Sequence, residues 1–151
     1  VKAEQKRVLA PTRREDGIPP NQLEYKTRRL VNDYLQPPKV TARMRIGQAR
    51  LAEIRDDLET ALVARDAHEL MRSLEVSSIL DCADMAAHAS LFRTESRWGL
   101  YHNRVDYPKK DDDNWFCHTL LRKVDGRLVS EKRPIQPYIV PIENEERTAY
   151  D

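Results

Sequence analysis

Val40, Met44, Gly47, Leu51, Ile54, Leu58 and Ala61 follow one another in alternating steps of four and three. Only a helix gathers such positions into one stripe, and a stripe that narrow is the seam of a bundle. The positions between are largely Arg, Gln, Glu and Asp, as a solvated face requires. Gly47, inside the seam, lets a neighbouring backbone come close. After Ala64-Arg65, the run Asp66-Ala67-His68-Glu69 has the form of a capping box, with Asp66 as N-cap and Glu69 reaching back. So short a connection makes the two flanking helices antiparallel neighbours.

The helix that this box opens is expected over about 67–92. It is apolar or small on most sides, through Leu70, Met71, Leu74, Val76, Ile79, Leu80, Ala83, Met85, Leu91 and Phe92. That pattern predicts a central, most buried rod on the order of 40 Å long. An earlier helix is expected from Asn21, as N-cap, to Leu35, with Leu23, Thr27, Leu30, Val31 and Tyr34 on one face and Pro37-Pro38 ending it. Beyond residue 114, Asp125-Gly126 between two runs of strand-forming residues signals a β-hairpin. The fold class is therefore all-α: an antiparallel up-down three-helix bundle, an ordered loop, a short β-hairpin and an extended C-terminal strap. The expected divisions are a connecting arm without regular elements (1–20), the bundle (21–94), the loop (95–114), the hairpin (115–134) and the tail (135–151).

Composition removes several function classes. A net charge of +1 gives little pull toward nucleic acid or an anionic membrane, so no nucleic-acid partner is expected. No apolar run approaches a bilayer span, and the polar start has no secretory apolar stretch behind it. Cys82 and Cys117 form no CxxC pair, which fits a reduced cytoplasmic setting, and Cys82 is read as a core residue. A chain opening on Val inside a charged segment reads as a piece of something longer.

Candidate chemistry concentrates in residues 93–115, RTESRWGLYHNRVDYPKKDDDNW, which hold five acids, five bases, two Trp, two Tyr and a His. Arg93, Arg97 and Arg104 can form bidentate pairs with Glu95, Asp106, Asp111 or Asp112, while Trp98, Tyr101, Tyr107 and Trp115 offer the flat area that interface cores favour. Asp81, Asp84 and His88 share one helical path, but without a Cys or a second helix they are a weak metal set. Asp111-Asp112-Asp113-Asn114 lacks the alternation and turn Gly of a calcium loop, so these acids are expected to cap a turn or pair with nearby bases. Four glycines, Gly17, Gly47, Gly99 and Gly126, cannot build a phosphate-cradling motif, and Ser96 has no motif-level base. Neither a catalytic nor a metal residue is assigned.

The order of these residues carries a resemblance. Glu95-Ser96-Arg97, Gly99-Leu100, His102, Arg104, Asp106-Tyr107-Pro108, Asp111-Asp112 and Asn114-Trp115 resemble the closing signature of the succinate dehydrogenase and fumarate reductase flavoproteins, shared in part with L-aspartate oxidase. Trp98 separates Arg97 from Gly99, and the segment from Arg97 to Asp106 is two residues longer than the usual form. In that respect the loop looks more like the adenylylsulfate reductase flavoprotein, a sister branch. The resemblance covers roughly Asn21 to the end, and implies a C-terminal helical domain. It implies FAD in the full-length protein, with none bound by this segment. It also implies packing against the flavin-binding domain of the same polypeptide and a place near an iron-sulfur subunit, with membrane association only through partner subunits.

Glu95, Ser96, Arg97, Trp98, Gly99, His102, Arg104, Asp106, Tyr107, Asp111, Asp112 and Trp115 are thus the candidate interface residues. The leading reading is a structural and docking domain of an FAD-dependent oxidoreductase subunit, not catalytic alone. Its alternatives are a stand-alone helical interaction module and, last, a small metal-dependent enzyme. Surfaces that a parent protein normally covers would let the isolated domain pair with itself as a homodimer.

Overall fold

The computed structural model describes residues 1–99 and 101–136. Most of these are helical, with one small antiparallel sheet. The helices among the described residues are α1 (Lys2–Val8), α2 (Pro20–Tyr34), α3 (Thr41–Thr60), α4 (Ala67–Phe92) and the single turn α5 (Asp112–Trp115), and the strands are β1 (Cys117–Val124) and β2 (Arg127–Pro134). The strap expected over 135–151 lies, from Pro137 onward, outside the described residues.

Pro20, not Asn21, opens α2: its fixed φ suits the first helical position, and Pro19 before it is extended. Leu23, Thr27 and Leu30 face inward, and the buried Thr27 hydroxyl donates to the Leu23 carbonyl at 2.8 Å. On α3, Met44, Gly47, Leu51, Ile54 and Leu58 are buried as the seam predicts. Gly47 marks the close approach to the end of α2, where an added Cβ would stand 2.9 Å from Tyr34 Cβ and 3.1 Å from Leu35 Cδ2.

Asp66 caps α4 by accepting from the Glu69 amide at 2.8 Å, and the Glu69 carboxylate reaches back to the Arg65 amide at 2.8 Å. The box therefore closes one residue earlier than the standard form, with the same result of satisfying end-of-helix donors. The expectation of a rod buried on most sides needs correction. α2 and α3 cover only the stripe Ser73, Val76, Leu80, Ala83 and Ala87, again in steps of three and four, while Met71, Leu74 and Met85 are exposed. Cys82 points away from that stripe and is exposed, so it is not a core residue. Leu23, Met44, Ile54, Val76 and Leu80 form the centre of the core, each contributing about 1.5–3 kcal/mol of burial.

Residues 1–20 also depart from expectation. They contain α1 and a 3-10 turn at Ala10–Arg13, and they dock rather than trail. The Ile18 amide donates to the Ala61 carbonyl at 2.8 Å, the Val63 amide to the Ile18 carbonyl at 3.1 Å, and the Ala64 amide to the buried Pro11's carbonyl at 3.0 Å. Gly17 permits this approach, since a Cβ there would lie 2.1 Å from the Ala61 oxygen. The force is long-range backbone pairing, which local periodicity does not reveal.

The hairpin runs from Val124 opposite Arg127 to Cys117 opposite Pro134, two residues shorter at its start than expected because Trp115 belongs to α5. Asp125 and Gly126, at φ 48° and 78°, form the left-handed two-residue turn that matches strand twist. The hairpin rests beside α4, which brings β1 to the end of the helix where the charged loop begins.

Candidate functional site

Where α4 ends at Phe92, the chain turns extended at Arg93 and enters a loop built around two buried charges of opposite sign. The first is Glu95, whose side chain is wholly enclosed. Its Oε1 accepts from Arg93 Nε and Arg97 Nε, each at 2.7 Å, and its Oε2 accepts from Arg97 Nη2 at 3.0 Å and the Asp111 amide at 2.9 Å. Burial pushes this carboxyl upward, but the hydrogen bonds from Arg97, Asp111 and Arg93 outweigh it and hold the group below its ordinary value. Glu95 is thus an anion with its lone pairs filled, the condition under which a buried charge persists.

The second is Arg104, equally enclosed. All five of its N–H groups have acceptors. Nε and Nη2 fork onto Asp106, both at 2.9 Å; Nη1 donates to the carbonyls of Ser90 (2.6 Å) and Arg93 (3.0 Å); Nη2 also reaches the Thr41 hydroxyl at 2.7 Å. Asp106 in turn accepts from the Thr41 amide at 3.0 Å and from its hydroxyl. The Arg104 guanidinium holds the Asp106 carboxyl far below the usual carboxylate range, and the Thr41 hydrogen bonds assist against a smaller opposing effect of burial. Arg104 therefore ties the end of α4, the start of α3 and the loop into one joint. Paired backbone strengthens it: the Lys39 amide donates to the Asn103 carbonyl at 2.8 Å and the Val105 amide to the Lys39 carbonyl at 2.9 Å.

The remaining candidates fill in around these two. Ser96 Oγ accepts from the Arg104 amide at 2.8 Å and donates to the Tyr107 carbonyl at 2.8 Å, which pins both strands of the loop. Asp112 takes the far side of Arg97 at 2.5 Å, and Asp111 caps α5 by accepting from the Asn114 amide at 3.1 Å. Trp115 is buried, edge-on to Phe92 at 5.4 Å, with Lys132 Nζ 3.6 Å above its ring. Tyr107 lies 4.9 Å from the Arg104 guanidinium.

His102 is buried, and its Nε2 meets the Arg93 carbonyl at 3.3 Å, so that nitrogen carries the proton. Burial, then the charge of Lys39, pushes this imidazole below its ordinary value despite the Arg93 carbonyl. The Arg97 amide donates to the His102 carbonyl at 2.9 Å, closing a finger whose tip carries Trp98 and Gly99, both left-handed at φ 58° and 50°. Trp98 and Tyr101 on that finger are 68% and 79% exposed. The loop is rigid at its base and presents two large aromatic rings at its edge.

Thr41, Ser90 and Lys39 belong to this joint and escaped sequence reasoning, because they lie between 14 and 65 positions from their partners in chain order. Conversely, Asp81 pairs with Arg55 at 2.8 Å and Asp84 with His88 at 3.2 Å, so the three positions considered for metal divide their attention. Among the described residues no group of three or more His, Cys, Asp or Glu is placed to hold a metal ion. The glycines do not cradle a dinucleotide either: Gly17 and Gly47 serve chain packing, and a Cβ added at Gly99 or Gly126 would meet no non-neighbouring atom within 4 Å. No helix among the described residues is long and apolar enough to cross a membrane.

Comparison with known proteins places this architecture. The chain aligns to solved adenosine-5-phosphosulfate reductase, in complex with sulfite, over 94% of its own length and 25% of that chain, at TM-score 0.85 and 26% identity. It aligns to the quinol fumarate reductase of E. coli over 93% and 25%, at TM-score 0.79 and 20% identity, a likeness of fold. In sequence, 61 residues are 43% identical to a fumarate reductase flavoprotein subunit of Mycobacterium tuberculosis, covering 40% of this chain and 10% of that protein. Another 69-residue match, 35% identical, is to the succinate dehydrogenase flavoprotein subunit of Rickettsia conorii, covering 44% and 11%. The chain thus spans about a tenth of these curated relatives and a quarter of the solved chains. The family model for the fumarate reductase flavoprotein C-terminus matches residues 25–149, and the chain belongs to that family.

Proposed function

We propose that this chain is the C-terminal structural and docking domain of an FAD-dependent oxidoreductase flavoprotein subunit of fumarate reductase/succinate dehydrogenase or adenylylsulfate reductase type. In this reading it performs no chemistry alone: the flavin and the substrate site belong to the rest of the polypeptide. The carrying observation is the pairing of a fully enclosed base, Glu95 and Arg104, with the exposed rings of Trp98 and Tyr101. Beyond the Trp98 ring's contact with Arg93 at 5.7 Å, a monomeric domain gains little from holding two aromatics outward, whereas an interface uses such rings as anchors.

The same proposal includes the antiparallel up-down order of α2, α3 and α4 as a three-helix bundle over 21–94, the loop over 95–114, and the hairpin and tail as separate attachments. The twelve loop residues named at the sequence level are its interface set, Glu95, Arg97, Arg104, Asp106 and Asp112 by holding shape and Trp98 by contact. The partners are the flavin-binding domain and an iron-sulfur subunit, and through such subunits a membrane. FAD itself would supply hydride or electron transfer within that other domain. Removing Arg97 or Asp106 (R97A, D106A) and measuring thermal stability with assembly onto the flavin-binding portion tests the reading. Both are expected to fall. If neither moved, the loop would be a solvated surface and the proposal would fail.

A further inference from the structure

Between the end of α2, the C-terminal half of α4 and the finger lies a cavity of about 210 Å³. Val31, Leu35, Ala83 and Ala86 give it apolar walls, and no carboxylate among the described residues lines it. Its polar side chains among the described residues are Gln36, Lys39, Ser90 and Tyr101, of which only Lys39 is charged. Lys39 spends one N–H on Ser90 Oγ at 2.9 Å, and no described carboxylate pairs with it. Ser90 accepts that bond, and its own hydroxyl proton has no acceptor among the described residues. Tyr101, largely exposed, stands at the rim.

A half-buried ammonium without a counter-ion is costly, and here two further positive or donor-rich neighbours aggravate the imbalance. Burial, and then the charge of Arg104, depress the Lys39 pKa, while Lys39 does the same to His102. Arg104 cannot be relieved by the newcomer, since its five N–H groups are already taken. Lys39 is also fixed in place by its own amide and carbonyl, which pair with Asn103 and Val105. Its position is therefore set before any ligand arrives, which lowers the cost of binding. A neighbouring cavity on the other side of Tyr101, lined by Arg93, His102, His118 and Arg133, likewise contains no carboxylate among the described residues.

We infer that the cavity beside Tyr101 is a carboxylate-binding site, in which Lys39 Nζ and the Ser90 hydroxyl receive one anionic group whose short apolar stem lies against α2 and α4. One carboxylate balances one ammonium, and two donors match its two oxygens. The volume admits a small organic acid or a single acidic side chain. This goes beyond the docking reading and does not rest on it, because Lys39 and Ser90 both belong to this chain.

The test titrates sodium acetate into the full chain carrying isotope-labelled lysine, with sodium chloride at matched ionic strength as control. The Lys39 Cε–Nζ resonance is followed, assigned by Lys39→Gln. A saturable shift is expected, with a rise in the Lys39 pKa that a purely structural lysine would not show, and with Ser90→Ala weakening binding about tenfold. A second arm repeats the titration with Glu143→Gln, Glu145→Gln and Glu146→Gln combined. Response in the unaltered chain identifies a free carboxylate as the ligand. Response only in the combined variant identifies the chain's own acidic residues as the occupant, which also upholds the site. If Lys39 follows the chloride control in both arms, the inference is overturned.

Discussion

Arg97 grips Glu95 through two hydrogen bonds, at 2.7 and 3.0 Å, and the carboxylate it grips is closed off from solvent. Two more donors, Arg93 and the Asp111 amide, complete the shell. Replacing Glu95 with Ala leaves two arginines, both of low exposure, facing each other without their anion. The variant is expected to lose about 3–5 kcal/mol of unfolding free energy. Arg97→Ala is expected to lose less, about 1–3 kcal/mol, because Arg93 and the Asp111 amide remain on Glu95. Urea denaturation followed by helical circular dichroism measures both.

Acid should weaken the fold in two windows. His102 has its folded pKa lowered, so the unfolded chain binds its proton more readily. Its contribution is present above the unfolded value of about 6.5 and is lost as pH falls through the folded one. Asp106 and Glu95 are likewise depressed, and what they contribute is present above about pH 4 and lost on further acidification. A stability-against-pH curve should therefore fall first below about pH 6.5 and again below about pH 4. His102→Gln should erase the first descent, and Asp106→Asn should flatten the second.

Gly47→Ala sets helix propensity against space. Alanine would add up to about 1 kcal/mol to an isolated helix. Here its Cβ meets Tyr34 Cβ at 2.9 Å, close to the backbone of α2 where little can give. A net loss of about 1–3 kcal/mol is expected, read from the denaturation midpoint. A gain in stability would show that α2 and α3 are not held as closely as described.

Trp98→Asn separates contact from architecture. Asparagine tolerates the left-handed backbone at φ 58° better than tryptophan does, a relief of about 1 kcal/mol. The change forfeits the ring 5.7 Å from the Arg93 guanidinium, an interaction of similar size. Unfolding free energy should stay within about 1 kcal/mol of the unaltered chain, while association with a partner surface should weaken. Calorimetry of the variant alone checks the first half.

What could be read from residue order was what acts locally. Asp66 and Glu69 announced the start of α4, Asp125-Gly126 the hairpin turn, and the stepping of Met44 to Leu58 the seam of α3. The membership of the charged loop was also legible, because Arg and carboxylate residues so dense must pair. Which pairs form was not: Asp111 went to cap α5 while Asp112 took Arg97, a choice made by the turn geometry of Asp112–Trp115. The docking of Pro11 and Ile18 onto Ala61–Ala64 left no periodic trace, since backbone amides do the pairing. Cys82 and Met85 were misread because apolar character along α4 exceeds the one stripe that its neighbours cover.

In the proposed role, the buried salt-linked base holds Trp98 and Tyr101 ready for a separate flavin-carrying domain. The most direct measurement is the affinity of this chain for the flavin-binding portion of the same polypeptide, expressed separately, with and without Trp98→Ala and Tyr101→Ala together. At least about tenfold weaker association, near 1.4 kcal/mol, is expected, with the unfolding free energy lowered by no more than about 1 kcal/mol. Equal affinity for the altered and unaltered chains would contradict it.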